Sequence, residues 1–207
     1  MKLTWLGHAC FLAEQDGYRI LLDPYTGVEG YPPLKEQALR VHKILCSHGH
    51  FDHNAADQAE LVPFDGPCPF AVRTVETFHD GQGGALRGNN TVHILSAGGV
   101  TVAHMGDLGH QLSREQIAAI GPVDLVMIPV GGTYTVDAKD AKAVCQALVP
   151  GCVVPMHYRH APYGLPNVAG VEDFLALWPE VRRLEGASLE VDKTARGVVM
   201  PKFPGEV

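Results

Sequence analysis

The stretch that decides the fold is Ser47-His48-Gly49-His50-Phe51-Asp52-His53, which places four potential metal ligands within six residues. This stretch begins at the last residue of an apolar, strand-like run that spans residues 41–47. Three histidines and one aspartate at these fixed positions are expected by chance in roughly one chain in several hundred of this length. A metal site therefore explains the pattern better than a solvated polar loop does.

The spacing of these residues predicts two ions rather than one. His48 and His50 alternate by two, so in an extended segment both rings point to the same side and can share one ion. At Asp52 and His53 we expect the chain to enter a helix in residues 54–61, which turns these side chains toward a second ion roughly 3.5–4 Å away. Imidazole and carboxylate ligands suit Zn²⁺, and also Mn²⁺, Fe²⁺ or Ni²⁺.

Six residues cannot fill two coordination spheres, so more distant ligands are needed. The sequence offers His79, Asp107 and His157, each of which follows an apolar, strand-like run. Functional side chains in layered α/β folds commonly gather where strands end.

Composition and charge narrow the function classes. The chain has 207 residues, 46% of them hydrophobic and 19% charged, which suits one globular domain over residues 1–207. Its net charge of −7 argues against nucleic acid as a partner. No apolar run approaches the ~20 residues of a membrane span. His8 and Glu14 would interrupt the apolar region of a signal peptide, and five scattered cysteines are typical of a reduced compartment, so we expect a cytoplasmic protein.

Strand-like and helix-like segments alternate along the chain. We expect strands at residues 2–7, 9–15 and 18–24, with a hairpin turn at Asp16-Gly17 and another at Gly98-Gly99. Helices are expected at residues 113–121, where Ser113 and Gln116 form a capping box, and at 137–149 and 171–183. This order favours an α/β fold in which two sheets pack face to face with helices outside.

The motifs together resemble the metallo-β-lactamase superfamily over nearly the whole chain. They are GHACFL near the start, ILLDPY, SHGHFDH, HMGDLGH, IPVGGTYT and PMHYR. The closest resemblance is to a compact branch of metal-dependent hydrolases related to ascorbate-6-phosphate lactonases. It implies a four-layer αβ/βα sandwich with the site at one edge of the two sheets.

The resemblance also assigns the ligands. The first ion would be bound by His48, His50 and His79, the second by Asp52, His53 and His157, and Asp107 would bridge both. His79 lies in a glycine-rich segment that differs from the usual third motif of the superfamily. Its assignment as a ligand therefore depends on the resemblance to the compact branch more than the other assignments do.

The implied mechanism is hydrolysis without a protein nucleophile. Two divalent ions lower the pKa of a water bound between them, and the resulting hydroxide attacks a small polar ester, lactone or phosphodiester. Asp52 can orient that hydroxide while it binds an ion. The resemblance favours a lactone, the expected partner is a small molecule that can be anionic, and assembly into a homo-oligomer is left open.

Further residues are candidates for substrate contact. His8 and His110 lie next to the expected site and are candidate catalytic residues, and His104 is expected to be structural or to hydrogen-bond a ligand. Asp23 could hydrogen-bond a ligand histidine from behind. An anionic substrate could meet the side chains of Arg87, Tyr134, Tyr158 and Arg159.

Two other function classes remain open at this point. A mono-iron redox enzyme of the sulfur dioxygenase type would keep the same histidine motif, whereas di-iron members of the fold carry Glu at the position of His50. A metal-dependent sensor without catalytic activity is the third alternative.

Overall fold

The computed structural model describes residues 1–205, which form two facing β-sheets with short helices around them. The strands are β1 Lys2–Gly7, β2 Cys10–Gln15, β3 Tyr18–Leu22, β4 Arg40–Val41, β5 Lys43–Leu45, β6 Glu60–Leu61, β7 Ala71–Phe78, β8 Asn89–Ala97, β9 Val100–His104, β10 Leu125–Pro129, β11 Cys152–Met156, β12 Val181–Arg183, β13 Ser188–Glu190 and β14 Gly197–Met200. The α-helices are α1 Arg114–Ile120, α2 Ala138–Leu148 and α3 Glu172–Leu175, and 3₁₀ helices cover Leu34–Gln37 and Ala56–Gln58.

The smaller sheet has the order β13-β1-β2-β3-β5 and the larger one β12-β14-β11-β10-β9-β8-β7. The meanders β1–β2–β3 and β7–β8–β9 are antiparallel, whereas β9, β10, β11, β14 and β12 run parallel to one another. Both predicted hairpin turns are present, with positive φ angles at Asp16, Gly17, Gly98 and Gly99. The predicted α/β sandwich is confirmed.

The core lies between the two sheets. Every residue of β10 is buried, which is typical of a central parallel strand covered on both faces. His104 of the larger sheet joins the smaller one, because its Nε2 donates to the backbone oxygen of Ala9 at 2.7 Å and its ring packs against Phe11. The expected structural role of His104 is thereby confirmed.

Two of the predicted helices are much shorter than the sequence predicts, and the first of them is not an α-helix. Residues 54–61 form only the 3₁₀ turn Ala56–Gln58 and then β6, which pairs in parallel with β4. In residues 171–183 the helix stops at Leu175, and the chain re-enters the sheet as β12 beside β14. Pro179 cannot donate a backbone hydrogen bond, and it disfavours helical geometry in the residue before it.

The predicted geometry of the histidine motif also differs. Residues 47–53 form consecutive bends and turns rather than an extended segment leading into a helix. The amides of His53 and Asn54 both donate to the backbone oxygen of His50, at 3.0 and 2.9 Å. The tight turn, not strand alternation, therefore sets the directions of the side chains.

No helix within residues 1–205 has the length and apolar character that a membrane crossing demands.

Candidate metal centre

Eight histidine and aspartate side chains converge at one edge of the two sheets, in the loops that follow five of the strands. The strands concerned are β1, β5, β7, β9 and β11. The converging residues are His8, His48, His50, Asp52, His53, His79, Asp107 and His157.

The first group consists of His48, His50 and His79. One ring nitrogen of each lies within 4.8 Å of the others, and His48 Nε2 is 3.0 Å from His50 Nδ1. Three imidazoles are the protein ligands of one common type of four-coordinate zinc site, in which water takes the fourth position.

The second group consists of Asp52, His53 and His157, with His8 beside them. His8 Nε2 lies 3.2 Å from Asp52 Oδ2, and the rings of His8 and His157 are 4.2 Å apart. Both of these histidines have a φ of 51°, a left-handed conformation that residues with a Cβ rarely adopt. The amide of His157 donates to the backbone oxygen of His8 at 3.3 Å, so the two turns hold each other in place.

Asp107 lies between the two groups. Its Oδ2 is 3.2 Å from both His79 Nε2 and His157 Nε2, and its Oδ1 is 3.1 Å from His53 Nε2. One carboxylate therefore reaches nitrogens of both groups, as a ligand shared by two ions must.

Asp23 orients two of the histidines from behind. It is fully buried, and its Oδ2 accepts hydrogen bonds from His53 Nδ1 at 2.7 Å and from the Ser47 hydroxyl at 2.5 Å. The Ser47 oxygen in turn accepts from His48 Nδ1 at 3.0 Å. With the Nδ1 atoms of His53 and His48 engaged in this way, the Nε2 atom of each ring is the one directed to the site as a potential ligand. The hydrogen bond expected between Asp23 and a histidine of the motif is confirmed.

A buried asparagine that the sequence analysis did not identify positions Asp107. Asn90 Oδ1 accepts the amide of Asp107 at 2.8 Å, and Asn90 Nδ2 donates to Thr77 Oγ1 and to the Met105 backbone. Gly106 precedes Asp107 with a φ of 55°, and a Cβ there would lie 2.3 Å from Asn90 Oδ1. Only glycine allows this close approach.

The protonation states of His8 and His48 suit metal binding, whereas His53 has to release a proton to bind an ion. Burial lowers the pKa of both His8 and His48 to about 4, so these imidazoles are neutral near pH 7. Burial alone would also lower the pKa of His53, but the carboxylates of Asp107 and Asp23 raise it well above its usual value. Burial would raise the pKa of Asp107, but the histidines around it hold it well below its usual range.

Several buried atoms of the cluster have no hydrogen-bond partner among the described residues. They include His53 Nε2, His157 Nε2 and Asp107 Oδ1, which lie close to other polar atoms without the angle that a hydrogen bond requires. Buried polar atoms are normally paired. Nitrogen and oxygen atoms that face a shared space without hydrogen-bonding one another fit a bound cation.

A cavity of about 430 Å³ opens above the cluster. Two of the predicted substrate contacts, Arg87 and Tyr134, line it together with Phe51 and Leu165. A larger surface depression of about 540 Å³ around Arg19 contains no member of the cluster.

The other predicted contacts lie outside this cavity in the part of the chain that the structure describes. Both ring nitrogens of His110 are engaged, since Nε2 accepts the amide of Phe78 and Nδ1 lies 2.7 Å from the Gln111 backbone oxygen. Tyr158 is buried against Trp5. Arg159 follows it, but it is not among the lining residues of the cavity. Roles for these three residues in the reaction remain predictions.

Comparisons with known proteins agree with this fold and site. A family profile described as "Beta-lactamase superfamily domain" matches residues 2–157. A UPF0173 metal-dependent hydrolase of Carboxydothermus hydrogenoformans is 29% identical, covering 84% of this chain and 91% of the relative. The structure of a proposed Zn-dependent hydrolase of the metallo-β-lactamase superfamily from Thermotoga maritima matches with a TM-score of 0.76 and 34% identity over 97% of both chains.

A more distant structure shows the same fold. Igni18, a metallo hydrolase from Ignicoccus hospitalis, has a TM-score of 0.68 at 21% identity and covers 99% of this chain and 96% of its own. The chain belongs to the β-lactamase superfamily and has the metallo-β-lactamase fold. The resemblance predicted from the motifs is confirmed at this level, whereas the relation to ascorbate-6-phosphate lactonases remains a prediction.

Proposed function

We propose that this protein is a dinuclear metal-dependent hydrolase. One ion would be held by His48, His50 and His79, the other by Asp52, His53 and His157, and Asp107 would bridge them. The observation that carries the proposal is the convergence of these side chains at one edge of the two sheets, where buried polar atoms of His53, Asp107 and His157 have no hydrogen-bond partner among the described residues. Similar proteins that are named metal-dependent hydrolases support the same reaction class.

The donor set suits Zn²⁺, because it combines imidazole nitrogens with carboxylate oxygens. The same set is compatible with Mn²⁺, Fe²⁺ or Ni²⁺. Bound divalent ions supply the chemistry by lowering the pKa of water toward neutrality and by polarising a carbonyl or phosphoryl oxygen.

The protein's own residues would position the reaction. Asp52 is held by His8, whose Nε2 lies 3.2 Å from Asp52 Oδ2, so the free face of the carboxylate can accept a hydrogen bond from the attacking water. His8 thereby fixes the direction of that water. A cavity of about 430 Å³ accommodates a small ester, lactone or phosphodiester.

Elemental analysis of the purified full chain, combined with an activity panel, tests this proposal. We expect two ions per chain, activity on at least one ester, lactone or phosphodiester, and reversible loss of activity on chelation. Asp107→Ala should lose both the metal and the turnover, whereas Asp57→Ala, which changes an exposed aspartate, should keep both.

Three results would overturn the proposal. A fully metal-loaded protein that is inert on the whole panel would favour the sensor alternative. Iron-dependent oxygen uptake in place of hydrolysis would favour the redox alternative. Unchanged metal content in the Asp107→Ala variant would remove this carboxylate from the site.

A further inference from the structure

A single arginine lines the cavity without an acidic partner. Arg87 Nη2 donates to the backbone oxygen of Thr133 at 3.2 Å, and the guanidinium lies 5.5 Å from the centre of the Tyr134 ring. Within residues 1–205, no carboxylate oxygen is within 4.0 Å of the guanidinium. Most of its N–H groups are therefore free to bind something that enters the cavity.

The loop that carries Arg87 is held by one buried carboxylate. Asp80 Oδ1 accepts the amides of Gln82 and Gly84, and its Oδ2 accepts those of Leu86 and Arg87, at 2.7–3.0 Å. Four charge-assisted hydrogen bonds fix the backbone on both sides of the glycine pair in this loop. The position of Arg87 relative to the cavity is thus set before any ligand arrives.

Part of the lining of the cavity is apolar. Phe51 is 57% exposed and Leu165 also lines the space, so a large aromatic ring lies open at the mouth. An exposed ring and a cation without an acidic partner in the same cavity fit a ligand with an apolar body and an anionic group.

We propose that Arg87 binds a carboxylate or phosphate group of the substrate that is separate from the bond being cleaved, and that Asp80 is the residue that positions Arg87. This inference rests on the proposed function. The planar guanidinium pairs with either anion through two parallel hydrogen bonds. Arg87 adds a local positive charge at the cavity of a chain whose net charge is −7.

The experiment compares two esters that differ in charge and share the leaving group. They are 4-nitrophenyl butyrate, which is neutral, and the 4-nitrophenyl monoester of succinic acid, which is anionic. In the metal-loaded full chain, Arg87→Met should raise KM for the anionic ester by roughly tenfold or more with little change in kcat, since a charge-assisted pair is lost. KM for the neutral ester should stay within about twofold.

Two further variants separate charge from structure. Arg87→Lys should show a smaller rise in KM for the anionic ester than Arg87→Met, because lysine keeps the positive charge but lacks the planar guanidinium that makes two parallel hydrogen bonds. Asp80→Asn should raise KM for the anionic ester alone, which a general structural defect would not do. Arg183→Met, which changes an exposed arginine away from the cavity, is the matched control.

Binding measurements keep this inference distinct from the proposed function. If neither ester is hydrolysed, calorimetric titration with phenyl phosphate and with phenylacetate measures anion binding directly and shows which anion is preferred. Binding of either compound that weakens in Arg87→Met supports the inference even though the proposed function has failed. Equal effects of Arg87→Met on both esters, or anion binding that is unchanged in this variant, would overturn it.

Discussion

Replacing Asp23 by asparagine tests how the site is organised, because this substitution changes charge and hydrogen bonding but hardly changes shape. Asp23 Oδ1 accepts the Ser47 amide at 2.6 Å, and Oδ2 accepts the Ser47 hydroxyl and His53 Nδ1. An asparagine that keeps its oxygen on the Ser47 amide turns its NH₂ group toward His53. Two donors then face each other, so the neutral form of His53 should carry its proton on Nε2 rather than Nδ1, where it blocks the lone pair that an ion requires.

The size of the effect follows from these contacts. Removing the hydrogen-bond partner behind a metal-bound histidine typically weakens metal binding by roughly 10–100-fold, or about 1.4–2.7 kcal/mol. Burial would raise the pKa of Asp23, but His104 and the hydrogen bonds from His53 and Ser47 lower it to about 2, so the wild-type carboxylate is ionised at neutral pH. Losing its charge should also lower the free energy of unfolding by about 2–4 kcal/mol.

Metal titration against a chelating indicator measures the first effect, and chemical unfolding of the metal-free protein measures the second. We expect the ion beside His53 to be weakened more than the ion beside His50, and Asp57→Asn to change neither. If Asp23→Asn bound both ions with wild-type affinity, the reasoning about the proton position on His53 would be refuted.

Three further predictions concern other parts of the site. His79→Ala should lower the metal content from two ions to one by elemental analysis, and retention of two would contradict its place in the first group. Because the pKa of His53 is raised in the metal-free protein, metal binding should release a proton near pH 7 and should strengthen as pH rises toward that pKa. Calorimetry in buffers with different ionisation enthalpies measures the release, and identical heats would contradict it. Gly106→Ala should destabilise the protein by about 1–3 kcal/mol more than Gly99→Ala, because both positions have positive φ but only the first lies against Asn90; equal melting temperatures would refute this.

Much of the framework could be predicted from the sequence because its signals are local. The turns at Asp16-Gly17 and Gly98-Gly99 need residues that tolerate positive φ, and the capping box of α1 needs only Ser113 and Gln116. The histidine motif and the isolated His79, Asp107 and His157 could be recognised by residue type, and the structure brings them together.

The features that could not be predicted depend on contacts between distant segments. Residues 181–183 form a strand because β14 offers them a partner, although the amphipathic pattern before Pro179 favours a helix. Asn90 is an ordinary polar residue at the end of a glycine-rich segment, and only its burial beside the backbone of Met105 and Asp107 shows which residues it positions. Its neighbours in the sequence give no signal of these partners.

The most direct test of the two-metal centre is a crystal structure of the metal-loaded protein with anomalous diffraction recorded at the absorption edge of the bound metal. We predict two anomalous peaks roughly 3.5–4 Å apart, one beside His48, His50 and His79, the other beside Asp52, His53 and His157, with Asp107 between them. A fully loaded crystal with no peak within this cluster, or with its metal bound elsewhere on the chain, would contradict the account.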